Sequence, residues 1–176
     1  MEPIVNKVAE SGIITLDPVR FLPGNIQLFD LKPFLFMELI LKEKDFRASL
    51  QSYNWEQHRA QKVILTCTTD AIIPVWAYML VASALQEVQA EVVMENEEEA
   101  RKLFMLREID RLDITPFEGQ RIVLKGCGDT PIPEAVYVAL TMRLKPVAKS
   151  IMYGEPCSTV PVYKKKQTLN PSTSRD

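Results

Sequence analysis

The chain has 176 residues, a length that corresponds to about one domain at roughly 100–200 residues per domain. Its formal charge of −2 lacks the basic excess of a typical nucleic-acid-binding protein, so we expect no nucleic-acid partner. Three cysteines are too few for the framework of a disulfide-rich secreted domain. Together with a single histidine, they are the scarce groups that could carry out chemistry.

The beginning of the chain gives no sign of export or membrane insertion. Residues 1–10 carry Glu2, Lys7 and Glu10 and lack the apolar core of a signal peptide. An uncharged apolar run of about 18 residues, which a membrane helix needs, is missing from the sequence. We therefore expect a cytoplasmic protein without membrane contact, whose thiols stay free or metal-bound in a reducing compartment.

Residues 1–61 are predicted to form an irregular N-terminal extension. Several prolines divide its first half into short pieces. A strand is expected within residues 25–31, and the apolar spacing within residues 36–53 predicts an amphipathic helix. We expect this extension to pack around the core sheet rather than to form a separate domain.

From residue 62 onward, short apolar runs alternate with longer segments. Runs rich in Val and Ile predict buried strands at residues 63–65, 92–94, 122–124 and 151–153. The segments between them predict helices at residues 74–88, 97–112 and 133–145, with Pro74 and Pro133 in the first turns and Asp70 and Asp129 as caps. This pattern predicts an α/β fold, a mostly parallel sheet in three layers.

Two β-α-β units of similar sequence make up this predicted core. Residues 62–95 overlay residues 121–154 without a gap, and the identical pairs include Asp70 with Asp129, Pro74 with Pro133 and Tyr78 with Tyr137. The whole of residues 1–163 is predicted to be one domain, with 62–163 as its repeated core. Residues 164–176 lack an apolar face, so this segment is predicted to be a disordered tail. Its three consecutive lysines are expected to be exposed to solvent.

All three cysteines are predicted to lie at the carboxyl edge of this sheet. Cys67 and Cys127 follow the first and third predicted strands, and Cys157 follows the fourth. If the two units met back to back, the first and third strands would be neighbours at the crevice where open α/β sheets bind ligands. The placement predicts that the three thiols converge.

Converging thiols at a strand edge are typical of a zinc site or an iron–sulfur cluster. Asp70 and Asp129 are the preferred additional ligands because they share the predicted edge, ahead of Glu155 and His58. We expect zinc in a purified sample, and an iron–sulfur cluster in the cell is the alternative. His58 is interpreted as a surface or packing residue.

Two other functions are compatible with the same residues. A metal-free enzyme of sulfur transfer or thiol exchange would use Cys157 or Cys127 as its nucleophile. A dimeric interaction module would use the cysteines only for packing, and the helix at residues 74–88, which has little polar face, would favour a homodimer. The glycine-rich turn at residues 125–129 lacks the full pattern of a phosphate-binding loop.

Three segments resemble the bacterial domain of unknown function family 2480. They are Leu41–Arg47, Asp70–Met79 and Ser150–Pro161, and the last is the most distinctive. The resemblance covers nearly the whole chain to about Lys166. It implies no established activity, but members of the family accompany genes of iron–sulfur cluster assembly. The resemblance thus implies a role near sulfur, iron or zinc handling, with iron–sulfur assembly proteins as partners.

Overall fold

The computed structural model describes residues 12–126, 128, 130–155 and 158–166. Over these residues the chain forms helices and mostly parallel strands in two sheets, which confirms the predicted α/β class. The chain divides into two compact units: the central unit is Leu22–Met105, and the terminal unit combines Met1–Phe21 with Leu106–Asp176. None of the helices in the described ranges is long and apolar enough to cross a membrane.

The central unit contains a parallel sheet of three strands in the order β2, β3, β4. These strands span Ile26–Asp30, Lys62–Thr66 and Glu91–Val93. Helix α1 (Glu43–Gln51) precedes β3, and helix α2 (Val75–Glu87) connects β3 to β4. Helix α3 (Glu97–Asp110) follows β4, and its residues up to Met105 belong to this unit. The predicted strand and amphipathic helix of the N-terminal region are β2 and α1.

Both faces of the central sheet are covered, as the predicted three-layer architecture requires. Because successive side chains of a strand point to opposite faces of the sheet, consecutive residues of β3 pack into different hydrophobic clusters. Val63 packs in one cluster with Leu85 of α2. Ile64 packs in the other with Phe104 of α3. This arrangement explains why β3 is apolar at every central position instead of alternating.

The terminal unit contains a four-stranded sheet in the order β1, β5, β6, β7. Its strands span Ile13–Leu16, Arg121–Leu124, Ser150–Glu155 and Ser158–Lys164, and helix α4, which connects β5 to β6, spans Glu134–Leu144. The first three strands are parallel, and β7 is antiparallel at one edge. Strand β7 ends at Lys164, which is the first residue of the tail predicted at residues 164–176.

The two units repeat the same arrangement of strands. Residue 62 pairs with 91 and residue 121 with 150, a spacing of 29 residues in each unit. On the other side, Ile26 pairs with Lys62 and Ile13 with Arg121. The registers support the sequence repeat, but each repeat lies in its own sheet, so the expectation of one shared sheet is wrong. The predicted N-terminal extension supplies the first strand of both sheets.

Candidate functional site

Each sheet carries an aspartate at the carboxyl end of its first strand, and the two aspartates occupy equivalent positions. Asp17 follows β1, and Asp30 is the last residue of β2. The Oδ1 atom of each accepts a hydrogen bond from the backbone N–H two residues later, Val19 at 3.0 Å and Lys32 at 2.9 Å. These contacts form Asx turns that lead from each strand into a short 3₁₀ helix.

In the terminal unit, the aspartate forms an ion pair. Lys125, the first residue after β5, donates from Nζ to Oδ2 of Asp17 at 3.0 Å. The hydrogen bond from the Val19 N–H, followed by that from Lys125, holds the pKa of Asp17 below its usual value. The pair therefore stays charged at neutral pH. It lies at the carboxyl ends of the adjacent strands β1 and β5.

In the central unit, the equivalent carboxylate is bound by uncharged groups. Asp30 accepts hydrogen bonds from the Thr68 N–H at 3.0 Å and from the Thr68 hydroxyl at 2.5 Å. Burial favours a higher pKa for Asp30, but the hydrogen bonds from Thr68 and Lys32 outweigh it, so the pKa is lowered. The carboxylate ties the turn after β3 to the end of β2, which is a structural role.

A pocket of about 630 Å³ opens at the carboxyl edge of the terminal sheet. Open α/β sheets bind ligands at this edge. Its wall combines charged, aromatic and apolar side chains, including Asp17, Lys125, Glu134, Tyr137, Val138 and Tyr153. A shallower apolar groove of about 320 Å³ shares the last three of these residues and reaches Met142 and Val162.

Two tyrosines fix the turn that forms the floor of this pocket. The Tyr137 hydroxyl donates to the carbonyl of Lys125 at 3.2 Å, and the Tyr153 hydroxyl donates to the carbonyl of Gly126 at 3.3 Å. The two rings meet edge to face with centroids 5.4 Å apart. The strand-to-helix turn is thus held by side chains from α4 and β6.

Cys67 and Asp70 lie in the central unit, in the turn after β3. Cys67 is half-buried, packs against the core of the central unit and donates a weak hydrogen bond from Sγ to the Thr69 carbonyl at 3.7 Å. Asp70 is exposed. The prediction that Asp70 caps the following helix is wrong, because α2 begins at Val75 behind Pro74 and has no capping hydrogen bond from a side chain.

The expected convergence of all three cysteines rested on strands β3 and β5 being neighbours. That pairing is wrong, since β3 pairs with β2 and β4, whereas β5 pairs with β1 and β6. Cys127, Asp129 and Cys157 lie outside the described residues. Within the described part of the chain, no group of three or more His, Cys, Asp or Glu side chains could hold a metal ion. The metal site therefore stays a prediction.

His58, the only histidine in the sequence, is a packing residue, as interpreted from the sequence. It is 5% exposed, and its Nδ1 lies 2.5 Å from Oε1 of Gln27 while its Nε2 lies 2.9 Å from the Tyr53 hydroxyl. Burial lowers the pKa of His58. A neutral ring that donates from Nδ1 to Gln27 and accepts at Nε2 from Tyr53 satisfies both contacts.

Asp17, Lys125, Tyr137 and Tyr153 were not selected as site residues from the sequence. Tyr137 could have been found, because it is one of the identities in the repeat overlay, together with Tyr78. Asp17 could not, because its role depends on the pairing of β1 with β5, which are separated by about a hundred residues of chain.

A family model described as "Protein of unknown function (DUF2480)" matches residues 2–165, and the chain belongs to this family. No curated protein and no solved structure gives a significant match to the chain.

Proposed function

We propose that this DUF2480 member binds a small molecule with an aromatic or apolar body at the carboxyl edge of the terminal sheet. The observation that carries the proposal is the pocket of about 630 Å³ beside the ends of parallel strands. This volume falls within the roughly 300–1,000 Å³ of small-molecule sites, which combine apolar walls with a few polar groups.

The wall of the pocket indicates the chemical class of the ligand. Tyr137, Val138 and Tyr153 offer an aromatic and apolar surface that continues into the adjoining groove. The charged side chains among its described lining residues are Asp17, Lys125 and Glu134, which sum to −1. A polyphosphate would be repelled by this balance, so the proposed ligand carries at most one negative charge.

The test is a titration of ¹⁵N-labelled protein with 1-naphthol, an aromatic probe that is uncharged at neutral pH. We expect saturable shifts of the amide signals of Gly126, Gly128 and Val138. The variant Val138→Arg places a bulky cation on the exposed pocket wall, where Val138 is 63% exposed, and should abolish the shifts. The matched control is Met79→Arg, at the repeat-equivalent and similarly exposed position of α2. Equal effects of both variants, or no shifts in the unmodified protein, would contradict the proposal.

A second candidate function is metal binding by Cys127, Asp129 and Cys157 at the same edge. It is favoured by one observation: Cys127 follows β5 and Cys157 follows β6 in the chain, and these strands are adjacent and parallel, with Leu124 opposite Tyr153. Thiolates suit zinc or an iron–sulfur cluster, and an accessory role in iron–sulfur assembly or sulfur handling would follow. Cys67 and Asp70 belong to the turn after β3, and the pairing of β3 with β5 that was expected to bring them to this edge is absent, so this candidate does not include them.

Metal analysis of anaerobically purified protein tests this candidate. We expect zinc or iron in the unmodified protein and its loss in Cys127→Ser and Cys157→Ser. Cys67→Ser is the matched control and should keep the metal. Less than about a tenth of an equivalent of any transition metal would contradict a site of zinc-like affinity. Loss of metal from Cys67→Ser alone would restore a role for Cys67 and contradict the reduced ligand set.

A further inference from the structure

A second cavity, of about 720 Å³, lies at the opposite, amino edge of the terminal sheet, and the charged side chains among its described lining residues are all basic. Five cations line it: Arg121, Lys149, Lys164, Lys165 and Lys166. No Asp or Glu is among the described residues of its wall. This charge balance is the reverse of that in the carboxyl-edge pocket and gives the cavity a strongly positive potential.

The strand register explains why the cations gather there. Arg121 is the first residue of β5, and it pairs with Ser150, the first residue of β6. Ser150 in turn pairs with Lys164, the last residue of the antiparallel strand β7. The start of two strands and the end of a third thus meet at one edge, which brings basic residues that are distant in sequence into one row.

The lysine triplet is held beside this row by backbone pairing. The N–H of Lys165 donates to the carbonyl of Lys149 at 2.9 Å, which continues the pairing of β6 with β7 by one step. The three lysines are exposed to solvent, which agrees with the solvated end expected from the sequence, and they also line the cavity. Met152 and Tyr163 add an apolar side to the same wall.

We propose that this basic cavity binds a small phosphorylated molecule that carries two or more phosphate groups. The planar guanidinium group of arginine can donate two parallel hydrogen bonds to phosphate oxygens, and lysines add localised positive charges around it. The volume fits a small molecule, and Met152 and Tyr163 can contact an apolar body attached to the phosphates. The overall charge of −2 favours a compact anion over a long nucleic acid, which would also contact the acidic remainder of the surface. This proposal is independent of the function proposed above.

Isothermal titration calorimetry with sodium tripolyphosphate and with ADP tests the proposal. We expect one saturable site whose affinity falls as salt rises from about 50 mM to about 200 mM. The triple variant Arg121→Gln, Lys149→Gln, Lys165→Gln should bind at least about tenfold more weakly, because each lost charge-assisted contact is costly. The single variant Lys165→Gln, at an exposed position, should weaken binding while leaving the circular dichroism spectrum unchanged.

The matched control removes the same charge elsewhere: Arg20→Gln, Lys44→Gln, Lys102→Gln. It should keep the affinity of the unmodified protein, and so should Val138→Arg in the other pocket. Absence of binding in the unmodified protein would overturn the proposal, and so would an equal loss in both triple variants, which would indicate unspecific attraction. Stronger binding of an oligouridylate than of tripolyphosphate would also overturn it, in favour of a nucleic-acid surface.

Discussion

The phenol ring of Tyr153 occupies the space in which a side chain at position 126 would stand. A Cβ atom built on Gly126 would lie 2.5 Å from Cζ of Tyr153, far inside van der Waals contact. The hydroxyl group on this ring donates a hydrogen bond to the Gly126 carbonyl. The absence of a side chain at this position therefore allows a residue of β6 to form the wall of the pocket at the end of β5.

We predict that Gly126→Ala displaces the Tyr153 ring and reshapes the pocket with little loss of stability. The clashing atoms are the far end of a partly exposed side chain, so the ring can move at the cost of about one hydrogen bond, roughly 0.5–1.5 kcal/mol. Urea denaturation measures this cost, and the 1-naphthol titration should show weaker binding.

Gly128→Ala is the control for this change, because a Cβ at position 128 meets no described atom within 4 Å. It should leave the Tyr153 ring in place and therefore weaken binding less than Gly126→Ala does. If Gly126→Ala bound the probe as well as the unmodified protein does, Tyr153 would not be a functional part of the pocket wall.

The lowered pKa of Asp30 predicts an acid-dependent loss of stability. An aspartate whose pKa is lowered on folding binds fewer protons in the folded state than in the unfolded state. Its contribution is fully present above the unfolded pKa of about 3.9 and is lost as the pH falls through the lowered folded pKa.

The variant Asp30→Asn should therefore flatten the decline of unfolding free energy below pH about 4 and cost about 1–3 kcal/mol at neutral pH through weakened hydrogen bonds to Thr68 and Lys32. Denaturation curves from acidic to neutral pH provide the comparison. An unchanged acid limb would show that the carboxylate contacts are not maintained in solution.

Burial of His58 predicts a second pH dependence with a different window. Because burial lowers its folded pKa, the unfolded state binds more protons at mildly acidic pH. The stability that the neutral ring contributes is fully present above about pH 6.5 and is lost as the pH falls from there toward the lowered folded pKa. Since the sequence has one histidine, the variant His58→Gln should remove this dependence. A slope that persists in His58→Gln would assign it to other groups.

Differences in thiol reactivity separate the metal site from a metal-free thiol enzyme. Cys67 is half-buried and bonded to the Thr69 carbonyl, so we expect it to react slowly with iodoacetamide in folded protein. A catalytic nucleophile would appear as much faster labelling of Cys127 or Cys157 in metal-free protein, quantified by peptide mass spectrometry. Equal and slow labelling of all three would contradict the enzyme, and fastest labelling of Cys67 would contradict its placement.

The homodimer expected from the apolar helix stays a prediction, and α2 supplies its test. Ala77, Val81 and Leu85 are buried in the central unit, while Val75 and Met79 are 73% and 65% exposed. We expect sedimentation velocity to detect a dimer that Val75→Glu converts to monomer, because a charge on an apolar contact is costly. A monomer at all concentrations of the unmodified protein would contradict a dimer on this face.

Local sequence patterns predicted most of the helices and strands. They could not predict which strands pair with one another. The run Val63–Leu65 lies within β3, and the helix predicted at residues 74–88 is α2, Val75–Glu87. Apolar runs and prolines report on local structure only. Whether β3 pairs with β5 or with β2 depends on contacts far apart in the chain, and the sequence pattern is the same in both cases.

Two strands escaped prediction for separate physical reasons. β1 has only four residues, Ile13–Leu16, and gains its stability from pairing with β5. β7 contains Pro161, which lacks a backbone donor and is tolerated because β7 lies at a sheet edge. Without β1, the ion pair of Asp17 with Lys125 could not be anticipated. The prediction of converging cysteines paired β5 with β3, whereas β5 lies between β1 and β6.

The carboxyl edge of the terminal sheet is the proposed binding site for a small aromatic or apolar molecule. The deciding measurement compares 1-naphthol binding to Val138→Arg and Met79→Arg by amide chemical shifts. Binding should be lost in Val138→Arg and kept in Met79→Arg. Binding that survives in Val138→Arg, with shifts at Gly126 and Gly128 unchanged, would contradict it.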